Sequence, residues 1–370
     1  METMRAAVFK EVGKIVVEDR PIPQIASPED AIVKVKLAGV CGSDLHWYHF
    51  IPGHEFVGTV AAVGDGVKTV KPGDDVVVST TRQLKAKALV KGDCLFAVLS
   101  KRLLSLPNVG NASTANTNRR AAVRKVCFLV SNRSYGIGID GGQAEYVKVP
   151  FADTTLVLSP ESVRPELLVL MSDIFPTGYF CASRYLKNMP RSEAEESVVV
   201  VVGCGPVGIC AIAAALTWCP TVYAVDLVPE RLAEAEKIGA KALLLDESVE
   251  ATIKAATNGR GADVVLEVVG NHDAMQLSLA MVRPFGYISC VGVYLGNYTF
   301  SGPTLHAKNM TIAWGRCPVK GIFQESLDCL AKVQDKVGFL CDLHMPLEDA
   351  SQAYEIFNQR KAHKIILDML

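Results

Sequence analysis

The sequence predicts an α/β protein: a β-rich domain joined to a doubly wound parallel sheet of the Rossmann type. Three observations carry that expectation. Short valine-rich runs separated by Gly, Pro and Asp turns fill the chain to about Pro160. From about Ser197, fully apolar strands alternate with helical stretches, the pattern of a parallel sheet covered on both faces. Between the first such strand and its helix lies a glycine-rich turn, Gly203 to Gly208.

The elements follow in order. In the β-rich part AIVKVKLAGV, EFVGTVAAVG and DDVVVST read as strands, and the Pro-Gly-Asp of VKTVKPGD marks a tight turn. SVVVVV then reads as a buried strand, Pro206 to Trp218 as a helix and TVYAVD as a second strand. PERLAEAEKIGA is an amphipathic helix stopped by Gly239. ALLLD, ADVVLEVVG and GYISCVGV are further strands, with helical stretches near Val249–Thr257 and Asp273–Val282. Helical patterns at Ile322–Gln334 and Leu347–Gln359 precede a last strand, KIILDML. The chain has 370 residues and is 49% apolar, enough for two domains. The expected division is a β-rich domain of residues 1–165 and 320–370 around a Rossmann domain of residues 166–319.

Charge and composition exclude several classes. The net charge of −1 gives no global attraction to nucleic acid or to an anionic membrane. The start, METMRAAVFKEVGKIVVEDR, has no apolar core behind basic residues, so no secretory signal is visible. The eleven cysteines then read as reduced thiols or metal ligands in a cytoplasmic protein. Val198 to Leu216 is nearly long enough for a membrane span, but Gly203, Gly205, Pro206 and Gly208 break it into strand, turn and helix. One stretch stands apart: Ser79 to Gly138 holds eleven Lys/Arg against a single Asp, a local net of +10. The rest carries 27 Lys/Arg and 38 Asp/Glu, a net of −11. Without interleaved aromatics it is a poor nucleic-acid surface. The sharp break suits a disordered insertion or an altered coding segment better.

Gly203-Cys204-Gly205-Pro206-Val207-Gly208 follows the valine strand and opens a helix. Gly203 permits the turn, Gly205 lets backbone approach a pyrophosphate, and Gly208 lets helix and strand pack closely. The helix N-terminus adds unpaired N–H groups and a positive dipole. Asp226 ends the next strand, where a carboxylate accepts ribose hydroxyls and repels a 2′-phosphate; Leu227 and Val228 bring no cation. The expected cofactor is therefore NAD rather than NADP.

Cys41-Gly42-Ser43-Asp44-Leu45-His46 and Gly53-His54-Glu55 place a thiol and an imidazole near each other in a turn-rich region. Alone the pair is weak evidence for a metal. With GHEFVGTVAAVG, KPGDDVVV, DGGQAEYVKVP, SDIFPTGY and VVVVVGCGPVG in this order, the chain resembles the zinc-containing alcohol dehydrogenases of the medium-chain dehydrogenase/reductase family. The resemblance covers the chain apart from Ser79–Gly138, and it implies a GroES-like fold for the β-rich catalytic domain. It implies Cys41, His54 and Asp173 as catalytic zinc ligands, leaving an open position for substrate. An Asp at the third position is the pattern of the branch with formaldehyde- and threonine-type dehydrogenases. Glu55 would approach the metal transiently, and Asp44 would orient His54 through its other ring nitrogen. Zinc would lower the pKa of a bound alcohol, and Ser43 then His46 would relay its proton outward. Thr177, Gly292 and Val293 would neighbour the nicotinamide, and Lys364 would reach the pyrophosphate. The substrate would be a small alcohol or aldehyde, or a polyol.

Two departures from the family pattern matter. Its four closely spaced structural-zinc cysteines have no counterpart, since only Cys94 and Cys127 fall in the basic stretch; one catalytic zinc and no structural zinc is the expectation. The loop from His46 to Gly53 is also short. A zinc-free reductase of the same fold is the runner-up function, against which the full Cys41/His54/Asp173 set argues. A non-catalytic nucleotide binder or defective product is the reading the missing cysteines favour. Trp47 and Tyr48 could line a cleft, and a homo-oligomer is allowed.

Overall fold

The computed structural model describes residues 2–11, 14–46, 51–79, 134–136, 138–294 and 296–369. Strands β1 (Thr3–Glu11) and β2 (Lys14–Pro21) form an antiparallel hairpin. β3 (Ala31–Gly39), β4 (Glu55–Val63) and β5 (Asp75–Val78) form an antiparallel run, where the alternation of AIVKV turns Val33 and Val35 inward and leaves Lys34 exposed. β6 (Ser134–Tyr135) and β7 (Gly138–Ile139) make a two-residue pair, while β8 (Tyr146–Val149) joins β3 and β9 (Leu156–Leu158) joins β5.

Helix α1 (Ile174–Leu186) comes next, and its Pro176 and Gly178 mask it in the sequence. Pro176 sits in the first turn, where a missing N–H costs nothing. Gly178 is demanded by packing, because a Cβ there would lie 2.6 Å from the Ala211 nitrogen. The parallel sheet then follows the expected run through β10 (Val198–Val202), α2 (Pro206–Ala215), β11 (Thr221–Asp226), α3 (Pro229–Ile238), β12 (Lys241–Leu244), α4 (Val249–Ala256), β13 (Ala262–Glu267), α5 (His272–Met281) and β14 (Val282–Cys290), and adds β15 (Thr311–Trp314), a strand the sequence did not announce. Its order is β12-β11-β10-β13-β14-β15, all parallel, the doubly wound Rossmann arrangement. All five valines of β10 are buried, since helices cover both faces. Helix α2 stops at Ala215 rather than Trp218, where the backbone bonds tighten, the Thr217 and Trp218 N–H groups donating to the Ala214 and Ala215 carbonyls at 3.0 Å each. Gly239 ends α3 in the left-handed region, φ 113°.

The chain then returns to the first sheet. Helix α6 (Val319–Val337) packs on α1 and α2, burying Phe323, Leu327, Leu330 and Val333 in the core they share. β16 (His344–Pro346), α7 (Ala350–Asn358) and β17 (Ile366–Asp368) follow. β17 lies antiparallel beside β3, which completes a seven-stranded GroES-like sheet. No helix among the described residues is long and apolar enough to cross a membrane. The basic stretch, with Cys94 and Cys127, lies outside the described residues but for its ends.

Candidate functional site

Sheet register builds the first half of the site. Gly39 at the end of β3 stands opposite Glu55 at the start of β4. Cys41 and His54, just beyond, therefore emerge at one sheet edge, and the short connection between them does not have to aim them. Cys41, His54 and Glu55 present ligand atoms within 4.8 Å of one another. The third segment is the 3-10 stretch Pro165–Ser172, tied to β4 by Ser172 Oγ donating to the Phe56 carbonyl at 3.1 Å. It delivers Asp173, whose Oδ2 lies 3.5 Å from His54 Nε2.

The surroundings orient these groups. Asp44 Oδ1 lies 3.0 Å from His54 Nδ1, which leaves Nε2 for the centre. Asp44 Oδ2 also accepts the Cys41 N–H at 3.1 Å and a Gln143 amide N–H at 3.4 Å, with the Tyr354 hydroxyl 3.3 Å away. Ser43 Oγ lies 3.3 Å from Cys41 Sγ and 3.5 Å from His54 Nε2, on the rim of the cluster. Expected relay residue His46 closes the 3-10 turn Gly42–His46, but its side chain, like Trp47 and Tyr48, lies outside the described residues.

The electrostatics suit a cation. Burial opposes charge on His54, yet Asp44, Cys41 and Asp173 outweigh it and hold its pKa well above the usual value. Burial pushes Glu55 up, against the pull of Lys364 and His54. Asp173 is kept below the usual range: burial pushes it up, but the His54 hydrogen bond and charge win. Glu55 Oε1 is buried with no hydrogen-bond partner and lies 3.8 Å from His54 Nε2. A pocket rich in carboxylates, with one orphaned carboxylate oxygen, fits a divalent metal. The soft thiol, imidazole and carboxylates are zinc donors.

Lys364, expected at the pyrophosphate, is paired with Glu55 in the structure. Its ammonium is buried against Glu55 Oε2, in space that Gly39 leaves by having no side chain; a Cβ there would lie 2.8 Å from Lys364 Cε. Thr177 donates to Asp173 Oδ1 at 3.2 Å, so its hydroxyl serves the carboxylate at the centre.

At the other half of the site, the three glycines do separate jobs. Gly203 has φ 100°. A Cβ on Gly208 would lie 2.0 Å from the Gly203 carbonyl oxygen, so helix and turn touch there. A Cβ on Gly205 would meet only Arg231 Nη1, at 3.9 Å, which leaves its backbone open on the outer side. Arg231, on α3, is thus a cation facing the turn; sequence reasoning missed it, although it lies five residues beyond Asp226 on the next helix. Asp226 ends β11 and accepts the N–H groups of Cys204 at 2.6 Å and Val228 at 2.9 Å. Gly292 and Val293 follow β14. The Gly292 N–H donates to the Glu267 carbonyl at 3.3 Å, and the Val293 side chain is exposed.

Comparisons with known proteins agree with this geometry. Residues 27–160 match the alcohol dehydrogenase GroES-like domain, and residues 206–332 match the zinc-binding dehydrogenase domain. Zinc-type alcohol dehydrogenase B of Aspergillus flavus is 40% identical over 98% of this chain and 81% of its own. Alcohol dehydrogenase TADH from Thermus sp. ATN1 superposes with a TM-score of 0.81 at 31% identity, over 99% of both chains. An alcohol dehydrogenase of E. coli CFT073 solved with NADH shares the fold, with a TM-score of 0.78 at 22% identity over the whole of both chains.

Proposed function

The chain belongs to the zinc-binding medium-chain dehydrogenase/reductase family and is an oxidoreductase acting on alcohols; from that premise we propose that it passes hydride between a small alcohol or aldehyde, or a polyol, and NAD, at a single zinc held by Cys41, His54 and Asp173. The observation that supports the reading is that Cys41, His54 and Glu55 present ligand atoms within 4.8 Å of one another, while Asp173, from a separate segment, reaches His54 Nε2 at 3.5 Å. Neither a zinc-free reductase nor a non-catalytic binder accounts for that donor set.

Zinc at this centre supplies a Lewis acid that makes the substrate hydroxyl easier to ionise. The chain's own residues do the rest. Asp44 holds the His54 tautomer with Nε2 inward. Thr177 holds Asp173. Lys364 neutralises the inner oxygen of Glu55, leaving Oε1 to approach the centre when a position opens. Ser43, at the rim, takes the proton from the substrate hydroxyl and hands it to His46, one turn along. The glycine turn with the N-terminus of α2 receives the pyrophosphate, and Arg231 faces it. Asp226 accepts the adenosine ribose hydroxyls, which favours NAD over NADP. Gly292 and Val293 flank the nicotinamide. In the division into residues 1–165 with 320–370 and residues 166–319, the first part brings Cys41, His54 and Glu55 and the second brings Asp173 with the cofactor turn, so the chemistry falls between them. A small-molecule substrate, a cytoplasmic setting and the absence of a structural zinc complete the reading.

The test is zinc per polypeptide by elemental mass spectrometry, followed by an alcohol panel with NAD and with NADP. The expected result is one zinc per chain and NAD-dependent turnover. No zinc would end the proposal, and two would contradict the absent structural site.

A further inference from the structure

We propose that Arg184 is a positioning residue that fixes the nicotinamide seat relative to the metal ligands; the inference rests on the site reading above. Helix α1 begins immediately after Asp173. Thr177, Cys181 and Arg184 follow at spacings of four, four and three, so all lie on the helix face that starts at Asp173. Each bonds in the direction that face points. Thr177 Oγ1 donates to Asp173 Oδ1 at 3.2 Å, and Cys181 Sγ donates to the Ser289 carbonyl at 3.3 Å. Arg184, in the last turn, spans two strand ends. Its Nη1 lies 3.3 Å from Ser289 Oγ, 3.1 Å from the Cys290 carbonyl and 3.0 Å from the Ala313 carbonyl. Its Nη2 donates to the Gly315 carbonyl at 3.2 Å.

These acceptors are all neutral oxygens, and they close β14 and β15 where the chain leaves the sheet. β14 runs on into Gly292 and Val293, and β15 into Gly315, Arg316 and Cys317. The guanidinium carbon also stacks 4.1 Å from the centroid of the Phe180 ring, one turn earlier on the same helix. A planar fork presents its donors in fixed directions to two strand ends at once, which the compact ammonium of a lysine does less completely. One helix is therefore bonded covalently to the metal ligand and, through Arg184, to the strand ends that flank the cofactor ring. Hydride transfer requires the carbon held by the metal site to meet that ring closely, and a misplacement of about 1 Å costs about 100-fold in rate. Helix α1 sets that distance, and Arg184 is its far anchor.

The experiment compares Arg184→Met and Arg184→Lys with the wild type in four measurements: zinc per chain, affinity for NADH, affinity for ADP-ribose, and kcat with protiated and deuterated alcohol. ADP-ribose carries everything in the cofactor but the nicotinamide. For Arg184→Met the expected result is unchanged zinc and unchanged ADP-ribose affinity. NADH binding weakens by about tenfold, and kcat falls by about 100-fold with a larger isotope effect. Arg184→Lys recovers part of the loss. Equal loss of NADH and ADP-ribose affinity, or unchanged kcat, would overturn the assignment. If Arg184→Met does not fold, Arg184→Lys and Ser289→Ala are held to the same criteria. A wild type without NAD-dependent turnover would sink the functional reading instead, while the NADH and ADP-ribose comparison would still decide the role of Arg184.

Discussion

At the scale of single residues, Asp44 shows how much of the site depends on a side chain that touches no substrate. Its two oxygens serve His54, the Cys41 N–H, Gln143 and Tyr354, and the side chain is almost fully buried. Asp44→Asn keeps the shape but can turn an N–H toward His54. Zinc affinity should fall by about 10- to 100-fold, read by competition with a chelating dye; undiminished affinity would mean that His54 is oriented by something else. The cysteines offer a second check. Cys41 is half-buried, while the other eight described cysteines are buried. Burial pushes the thiols of Cys181 and Cys341 up to about 12, and those of Cys219 and Cys329 to about 11. Among the described cysteines, iodoacetamide at pH 8 should therefore label Cys41 first, by a factor of about 100 or more, and zinc should protect it; peptide mass spectrometry reads both. Cys41, His54 and Asp226 were legible in the sequence because their neighbours form recognisable runs. The pairing of Lys364 with Glu55 and the contact of Tyr354 with Asp44 were not, since each meets the site across about 310 residues of chain. No local pattern marks such a partner.

At the scale of elements, the glycine turn separates binding from folding. A methyl on Gly208 collides with the Gly203 carbonyl, whereas a methyl on Gly205 meets only Arg231 Nη1, at ordinary contact distance. Gly208→Ala should destabilise the protein by about 1–3 kcal/mol, seen as a lower urea midpoint. Gly205→Ala should leave that midpoint in place and weaken NADH binding, because the added methyl stands where the pyrophosphate would approach. Two variants with the same profile would show that this division of labour is wrong. Strands β10 to β14 of the parallel sheet were legible from apolar runs bounded by turns, and α3 from its apolar spacing and its Gly239 stop. Helix α1 was hidden, because Pro176 and Gly178 suggest a turn and only the packing against α2 explains the glycine. β14 was legible as a strand, but β15 and the arginine that ties the two strand ends together were not.

At the scale of the whole molecule, α3 of the Rossmann sheet faces the segment leading into β17 across a cavity of about 520 Å³. His363 lies there, with Nδ1 2.9 Å from Glu234 Oε2. Burial pushes His363 down to about 4 from an ordinary 6.5, with Arg231 adding to the effect and Asp226 opposing it. Between those two values the unfolded chain binds a proton that the folded protein refuses, so stability falls as pH drops through that window. Glu234, raised by burial, acts in the opposite sense. His363→Leu should flatten the acid side of the stability profile. Urea unfolding at pH 7 and pH 5 checks this, and equal losses in variant and wild type would exclude His363 as the cause.

The pairing of β17 with β3 also has a consequence for biogenesis. Residues 37–39 leave the ribosome early, but their neighbours at 366–368 arrive only after the entire Rossmann sheet has been translated. The strand that closes the first sheet brings Lys364 with it, and the helix just before brings Tyr354. A nascent chain can thus complete its parallel sheet, and hold a nucleotide, well before its metal centre has a finished wall. The ligands themselves are made in the first half of the chain, and the wall that holds them is the last part to arrive.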